Sequence, residues 1–348
     1  MSLHTQNWSG HTPFHAARFH QPTSLAELQA IVRKADKVKV IGARHCFNDI
    51  ADTTGDLISL ANMDKTVIID REHNTATVNA GITYGELCPQ LHAAGYALHN
   101  MASLHHISVI GACMTATHGS GDKSGNLATA VSGLEMVTGD GEVVTLTREQ
   151  DGDTFNGAVV ALGALGVVTK VTLDLLPAFD LHQVVYERLP MRHVIESFDA
   201  IMSTGYSVSL FPTWQQEYVE NVWVKQRVAD GEPFAFPPTF FDAAMADHAR
   251  PIREGVDRYS TKMGSPGPWH ERMPHFVFID AERMGNELQS EYFVARKDAV
   301  AAIQAVAALG EHFAPVFGVT EIRTMCGDDL WLSMAYGQDT VGIHFNWL

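Results

Sequence analysis

Val40-Ile41-Gly42-Ala43-Arg44-His45-Cys46-Phe47-Asn48-Asp49 is a short β-branched run that breaks on a glycine into a polar loop. Gly42 lets the backbone turn sharply and brings peptide N–H groups close to a bound anion. The segment lacks the Lys-Ser/Thr ending of a phosphate-binding P-loop and the GxGxxG of a dinucleotide fold, so neither nucleotide reading applies. Read alone, His45 is an ordinary polar loop residue as readily as a ligand.

Working outward, Thr23-Ser24 with Glu27 has capping-box spacing and opens a helix carrying Leu25, Leu28, Ile31 and Val32. That helix ends near Ala35-Asp36, and residues 38–41 then read as a strand. Residues 57–60 read as another strand. Residues 66–70 and 75–79 flank a four-residue loop and predict a hairpin. Thr83 and Glu86 repeat the capping-box spacing before Leu87 and Leu91, and Gly95 supplies a helix stop. Gly139-Asp140-Gly141 turns a second hairpin, 134–138 with 142–146. Residues 158–165 predict a small-residue helix and 167–175 an alternating strand. Strands and short helices at this spacing indicate an α+β fold.

After about residue 180 the composition changes, with five of the six Trp and two Pro-rich stretches, 233–238 and 266–268, that read as loop. Strands are predicted at 288–294, 319–325 and 341–347, and a helix at 298–309. A boundary near 180 gives two domains, 1–180 and 181–348, each long enough to bury a core.

Two further segments carry chemical potential. Asn100-Met101-Ala102-Ser103-Leu104-His105-His106-Ile107-Ser108-Val109-Ile110-Gly111-Ala112-Cys113-Met114-Thr115-Ala116-Thr117-His118-Gly119-Ser120-Gly121 is dominated by small residues and hydroxyls. Such a stretch can pass close to a flat ligand, or simply pack a tight buried turn. Its histidines lack regular ligand spacing, so no metal site is expected. The other segment pairs Thr320-Glu321-Ile322-Arg323-Thr324 with Gly342-Ile343-His344-Phe345-Asn346-Trp347. On strands, Glu321 and Arg323 share one face, as do His344 and Asn346, which makes either a polar floor for hydroxyls or a weak surface salt bridge.

Composition excludes several classes. The 348 residues carry 24 Lys+Arg against 40 Asp+Glu, a formal net charge of −16, which disfavours nucleic-acid partners. The chain is 46% apolar and 18% charged, too apolar for disorder. The longest unbroken apolar run, 158–168, is short of the ~18–20 residues that span a bilayer, and MSLHTQNW is no signal peptide, so no membrane is expected. Four scattered Cys without a CxxC fit reduced thiols in a cytoplasm.

Taken together, the three segments resemble the vanillyl-alcohol-oxidase superfamily of covalent flavoproteins, and within it the bacterial alditol (xylitol/sorbitol) oxidases. The resemblance runs from Asn7-Trp8 to the last residue, through Gly-x-x-His-x-Phe-Asn at 42–48, His106-Ile107-Ser108, 117–121, 206–211, 287–292 and 321–324. It implies a two-part FAD-binding domain followed by a substrate domain with a large antiparallel sheet over the isoalloxazine. Val40, Ile41, Gly42, Ala43, Arg44 and Cys46 would wrap the pyrophosphate, and His45 would bond covalently to the flavin 8α-methyl. Ser103, Ser108, Gly111, Ala112, Cys113 and Met114 match further FAD contacts, and Val168 an adenine-end contact. A neutral imidazole suits the attachment chemistry.

Glu321, Arg323, His344 and Asn346 match the family's polyol floor, and Ser103 a residue touching both flavin and substrate. The resemblance implies oxidation of the C1 hydroxyl of xylitol or sorbitol to the aldose, with dioxygen reduced to hydrogen peroxide. Glu321 would accept bonds from inner hydroxyls, Arg323 would polarise the C1 hydroxyl, and His344 would orient it or take its proton. The family usually has Thr where Asn346 stands, which bears on hydroxyl recognition. It also continues past Leu348 with an active-site Lys and a segment returning to the FAD part. The substrate domain is on that footing C-terminally truncated, and impaired activity is expected. A 1,4-lactone oxidase or dehydrogenase of the same fold and an inactive flavin-binding fragment are the alternatives. The expected partners are a small polyol and dioxygen, in a cytoplasmic monomer.

Overall fold

The computed structural model describes residues 6–228, 236–247, 264–275 and 288–348. Strand β1 (Arg18–His20) leads into helix α1 (Leu25–Lys34), followed by β2 (Val38–Ile41) and β3 (Asp56–Ser59). These strands form a parallel sheet in the order β1-β3-β2. Ser24 caps α1 by accepting from the Glu27 N–H (3.3 Å), while the Glu27 carboxylate accepts from the Thr23 N–H (2.8 Å), one residue earlier than in a strict capping box. Leu28 and Val32 seat α1 on Ile58 and Leu60. Leu28 is wholly buried, about 1.5–3 kcal/mol of transfer free energy by itself.

The predicted hairpin is β4 (Val67–Asp70) and β5 (Thr75–Asn79). Helix α2 (Tyr84–Ala93) starts on the full Thr83/Glu86 capping box and stops before Gly95, whose φ of +89° ends it. Strand β6 (Tyr96–Ala97) and the short helix α3 (Val109–Met114) precede β7 (Val131–Val137) and β8 (Val143–Thr147), the second predicted hairpin. Helix α4 (Arg148–Val159), strand β9 (Val167–Asp174) and strand β10 (Leu176–Pro177) complete this half. A five-stranded antiparallel sheet results, ordered β4-β5-β9-β7-β8.

The predicted helix at 158–165 is corrected. Residues 158 and 159 are the last turn of α4, and the chain then turns at Leu162 and Gly163, both at positive φ (+54° and +70°), which no helix continues through. The helix itself lies upstream, in a polar stretch whose apolar positions show no clear 3.6 period.

From β11 (Asp180–Pro190) the chain builds one antiparallel sheet of nine strands among the described residues. Helix α5 (Met191–Met202), strands β12 (Ser207–Pro212), β13 (Tyr218–Arg227), β14 (Thr239–Phe240), β15 (Ala243–Met245) and β16 (Gly267–Pro268), and the single-turn α6 (Trp269–Arg272) come next. Strand β17 (Leu288–Ala295), helix α7 (Ala299–Phe313), β18 (Phe317–Met325) and β19 (Thr340–Trp347) finish the chain. The central order is β11-β13-β12-β18-β19-β17. Residues 233–235 of the first Pro-rich stretch and Glu287 lie outside the described residues. The second stretch is not loop throughout, since Gly267 and Pro268 pair with Leu181 and Asp180 at the sheet edge.

Side chains alternate across this sheet with period 2 and so give it two unlike faces. One face (Val184, Val208, Leu210, Val222, Ile322, Ile343) packs under α5 and α7. The other carries Val185, Phe211 and Trp223, together with the polar groups described below. Trp269 and Met273 join the core of the first half, pinning the two halves together. The 21-residue helical run Arg296–Val316 reaches membrane-spanning length and hydropathy by composition. The expectation from unbroken apolar runs overlooked it because Gln304 and Glu311 interrupt the run. In the fold, Ala299, Ile303 and Gly310 are its buried positions.

Candidate active site

Between the glycine-rich segments of the first half and the polar face of the large sheet lies a cavity of about 1150 Å³. Its wall on one side is the loop that leaves β2. Val40, Ile41, Gly42, Ala43, Arg44, His45 and Cys46 all line it, as do Ser103, Ser108, Gly111, Ala112, Met114 and Val168. Cys113 does not line it. Its thiol is fully buried behind α3 and faces the Leu127 carbonyl at 3.7 Å.

The loop is held by the N-terminal segment. Trp8 N–H donates to the Arg44 carbonyl (2.7 Å), and the Asn7 side chain donates to the Cys46 carbonyl (2.8 Å). Arg44 adopts a φ of +60°, the turn that presents His45. The His45 ring sits against three others, with centroids 4.5 Å from Trp8, 5.3 Å from His106 and 5.5 Å from Phe47. Burial, reinforced by His106, pushes its pKa down to about 3, so the ring is a neutral imidazole with nucleophilic character at ordinary pH. Its Nδ1 is buried and has no hydrogen-bond partner among the described residues. Gly42 is required by close approach, because a Cβ there would fall 2.3 Å from Ser108 Oγ. An unpartnered, neutral imidazole nitrogen and a backbone cradle with no side chains in the way fit an attached flavin nucleotide.

The opposite wall is a grid of three strands. In β18 and β19, Glu321 lies across from His344, Val319 from Asn346 and Arg323 from Gly342. In β17 and β19, Glu291 lies across from His344, Gln289 from Asn346 and Phe293 from Gly342. The structure therefore brings Glu321, Arg323, His344 and Asn346 together on one surface facing the cavity, which Ser103 also lines. Sequence reasoning missed Gln289 and Glu291, as well as His118 and His275, which also line the cavity. The available signal was the alternation Gln289-x-Glu291-x-Phe293, the same pattern as Glu321-x-Arg323.

Glu321 is gripped by His275 Nε2 (2.7 Å) and stands 3.6 Å from Arg323 Nε. Burial pushes its carboxyl up, but Arg323, His275 and Ser209 outweigh that and hold it well below the ordinary range. Burial lowers His275, so the neutral ring donates from Nε2 to the carboxylate. Burial likewise lowers His344, whose Nε2 lies 3.1 Å from Gln289 Oε1, leaving Nδ1 as its unprotonated nitrogen. Arg323 stays charged, because Glu321 and Glu291 more than offset its desolvation. The arrangement offers a fixed carboxylate acceptor, a guanidinium donor and a neutral imidazole on one wall of the cavity. Those are the parts needed to bind and orient several hydroxyls.

An FAD-binding-domain family model matches residues 16–147, the segment that forms the first wall. Over its full length the chain is 41% identical to an alditol oxidase from a Streptomyces species, covering 83% of that protein. The chain belongs to the alditol oxidase family. Similarity to an L-gulono-1,4-lactone dehydrogenase from Mycobacterium tuberculosis is lower, 28% identity over 99% of this chain and 83% of the relative. In fold, the cholesterol oxidase of Brevibacterium sterolicum superposes with a TM-score of 0.76 at 14% identity, over 98% of this chain and 79% of that one. This member of the alditol oxidase family is thus an FAD-dependent oxidoreductase with the vanillyl-alcohol-oxidase architecture.

Proposed function

We propose that the protein oxidises the terminal C1 hydroxyl of open-chain alditols such as xylitol and sorbitol to the aldose. The observation that carries this reading is the Glu321–Arg323–His344–Asn346 surface, whose side chains share one wall of the cavity that His45 also lines. FAD, when bound, would supply the two-electron acceptor for the substrate C1–H, with dioxygen as the final oxidant and hydrogen peroxide as its product.

His45, neutral and lacking a partner on Nδ1, is the residue for covalent attachment. Residues 40–46, with Ser103, Ser108, Gly111, Ala112 and Met114, would hold the nucleotide, and Val168 would serve its adenine end. Glu321 accepts hydrogen bonds from inner hydroxyls, and its fixed bond from His275 keeps the acceptor in place. Arg323 donates to the reacting hydroxyl oxygen and stabilises negative charge as it develops there. His344 orients that hydroxyl and takes its proton on Nδ1. Such alignment is the protein's main lever, worth roughly 7–11 kcal/mol of barrier at best. In this reading residues up to about 180 serve the cofactor and the remainder the substrate, in a cytoplasmic monomer. The four unpaired cysteines accord with that compartment.

The test is steady-state peroxide production with xylitol, sorbitol and a 1,4-lactone. Higher kcat/KM with either polyol is expected; preference for the lactone assigns the chain to the lactone-oxidising branch instead.

A further inference from the structure

Arg323 poses a selectivity problem for a site that takes neutral polyols. A guanidinium is a planar fork matched to carboxylates, and a buried one binds them strongly. Sugar acids differ from polyols only at one end, so an open Arg323 would favour them. The structure answers this with Glu291 on β17, which lies beyond β19 from the strand of Arg323. Its Oε1 lies 3.0 Å from Arg323 Nη2, and Glu321 Oε2 lies 3.6 Å from Nε on the same edge of the guanidinium. Two carboxylates thus face one guanidinium.

Glu291 is itself fixed. His118 Nε2 contacts the same Oε1 at 3.1 Å, while His118 Nδ1 faces the Gly119 carbonyl at 2.8 Å. The Glu291 side chain is 19% exposed and that of His118 only 3%. Across the strand pair stands Gly342, where a Cβ would fall 2.7 Å from Glu291 Oε1 and 3.3 Å from the His118 ring. The space over Gly342 is therefore reserved for this carboxylate. The charged and titratable groups around it are Arg323, His118 and, across the ladder, His344.

We propose that Glu291 is a specificity-determining and positioning residue: it occupies the anion-binding edge of Arg323, so that the site accepts neutral polyols and rejects polyhydroxy carboxylates. The inference rests on the polyol reading of the same site and adds to it the basis for choosing between charge classes.

The probes are gluconate and gluconamide, open-chain ligands of equal length and nearly equal shape, one ending in a carboxylate and the other in a neutral amide. Each is titrated into the oxidised holoenzyme and followed by the flavin absorbance, which needs no turnover. Wild type is expected to bind gluconamide at least tenfold more tightly than gluconate. E291Q, nearly isosteric, is expected to shrink that ratio at least tenfold while lowering kcat/KM for sorbitol. General damage to the site would weaken all three ligands together. Equal binding of the two probes by wild type, or an unchanged ratio in E291Q, overturns the inference even where sorbitol is turned over well. If wild type neither oxidises polyols nor binds either probe, the polyol reading itself falls, and this inference with it.

Discussion

Replacing Glu321 by Gln is the most direct perturbation of the floor. The amide keeps its Oε1 as acceptor for His275 Nε2–H, now 2.7 Å away, so the side chain stays in place. What changes is charge. At 3.6 Å from Arg323 and an effective dielectric of about 20, the lost Coulomb attraction is about 5 kcal/mol before solvation is counted. Arg323 retains Glu291 at 3.0 Å, so no buried cation is stranded and the fold survives. For the substrate, each inner hydroxyl exchanges a bond to a charged acceptor for one to a neutral amide, a loss of about 1–1.5 kcal/mol. Two such hydroxyls give about 2–3 kcal/mol, a fall of roughly 30- to 150-fold in kcat/KM. The assay is peroxide formation from xylitol under air, normalised to bound flavin by its visible absorbance. Flavin content should be unchanged, because Glu321 stands on the wall opposite the nucleotide loop. If E321Q retains its flavin and turns over xylitol within about threefold of wild type, Glu321 is not a substrate acceptor.

Other outcomes follow from the same geometry. H45A should release all flavin from acid-precipitated polypeptide, and yellow fluorescence still travelling with the denatured chain on a gel would place the attachment elsewhere. In G42A the new Cβ meets Ser108 Oγ at 2.3 Å, an overpacking cost of about 1–3 kcal/mol. Adding S108G should restore most of the lost Tm, whereas a double variant no more stable than G42A would show that the clash is not the cause. Burial pushes the Lys225 amine down to about 7, against a partial opposing pull from Glu321, while an unfolded Lys titrates near 10.5. Between those values the unfolded chain binds more protons, so native stability rises with pH across the window and the full burial cost is present below about 7. Relative to wild type, K225M should therefore gain most in urea denaturation near pH 6 and progressively less toward pH 10, and a pH-independent difference would contradict this.

Local signals carried much of the first half. The helix caps at Ser24 and Thr83 and the turns of both hairpins are short-range chemistry, readable without tertiary context. The failure at 158–165 has a local cause too, since small apolar residues look helical until Leu162 and Gly163 adopt positive φ. In the second half the strands at 288–294, 319–325 and 341–347 and the helix at 298–309 were legible, whereas β11 was not, because its partner β13 lies beyond α5 and β12, and the β12–β13 hairpin turns through residues 213–217 without a glycine or asparagine signal. The site divides in the same way. Glu321 with Arg323 and His344 with Asn346 could be placed on shared faces by period 2 alone. Gln289 and Glu291 share a polar face by the alternation in their own strand, but that face reaches the site only because β17 pairs with β19, more than fifty residues on (Gln289 with Asn346). His275 and His118 reach the floor from loops, through contacts that depend on the assembled halves.

The three-strand grid has a consequence for how this wall can change over time. Its reactive groups and its apolar underside alternate along the same strands, so a single-residue insertion or deletion within β19 would turn Ile343 and Phe345 toward the cavity and thrust His344 and Asn346 into the helix-covered core. Substitutions can retune the surface one position at a time, but its length is locked. Evolutionary drift in substrate preference is accordingly confined to exchanging side chains on a fixed lattice, while changes of length are left to the connecting loops.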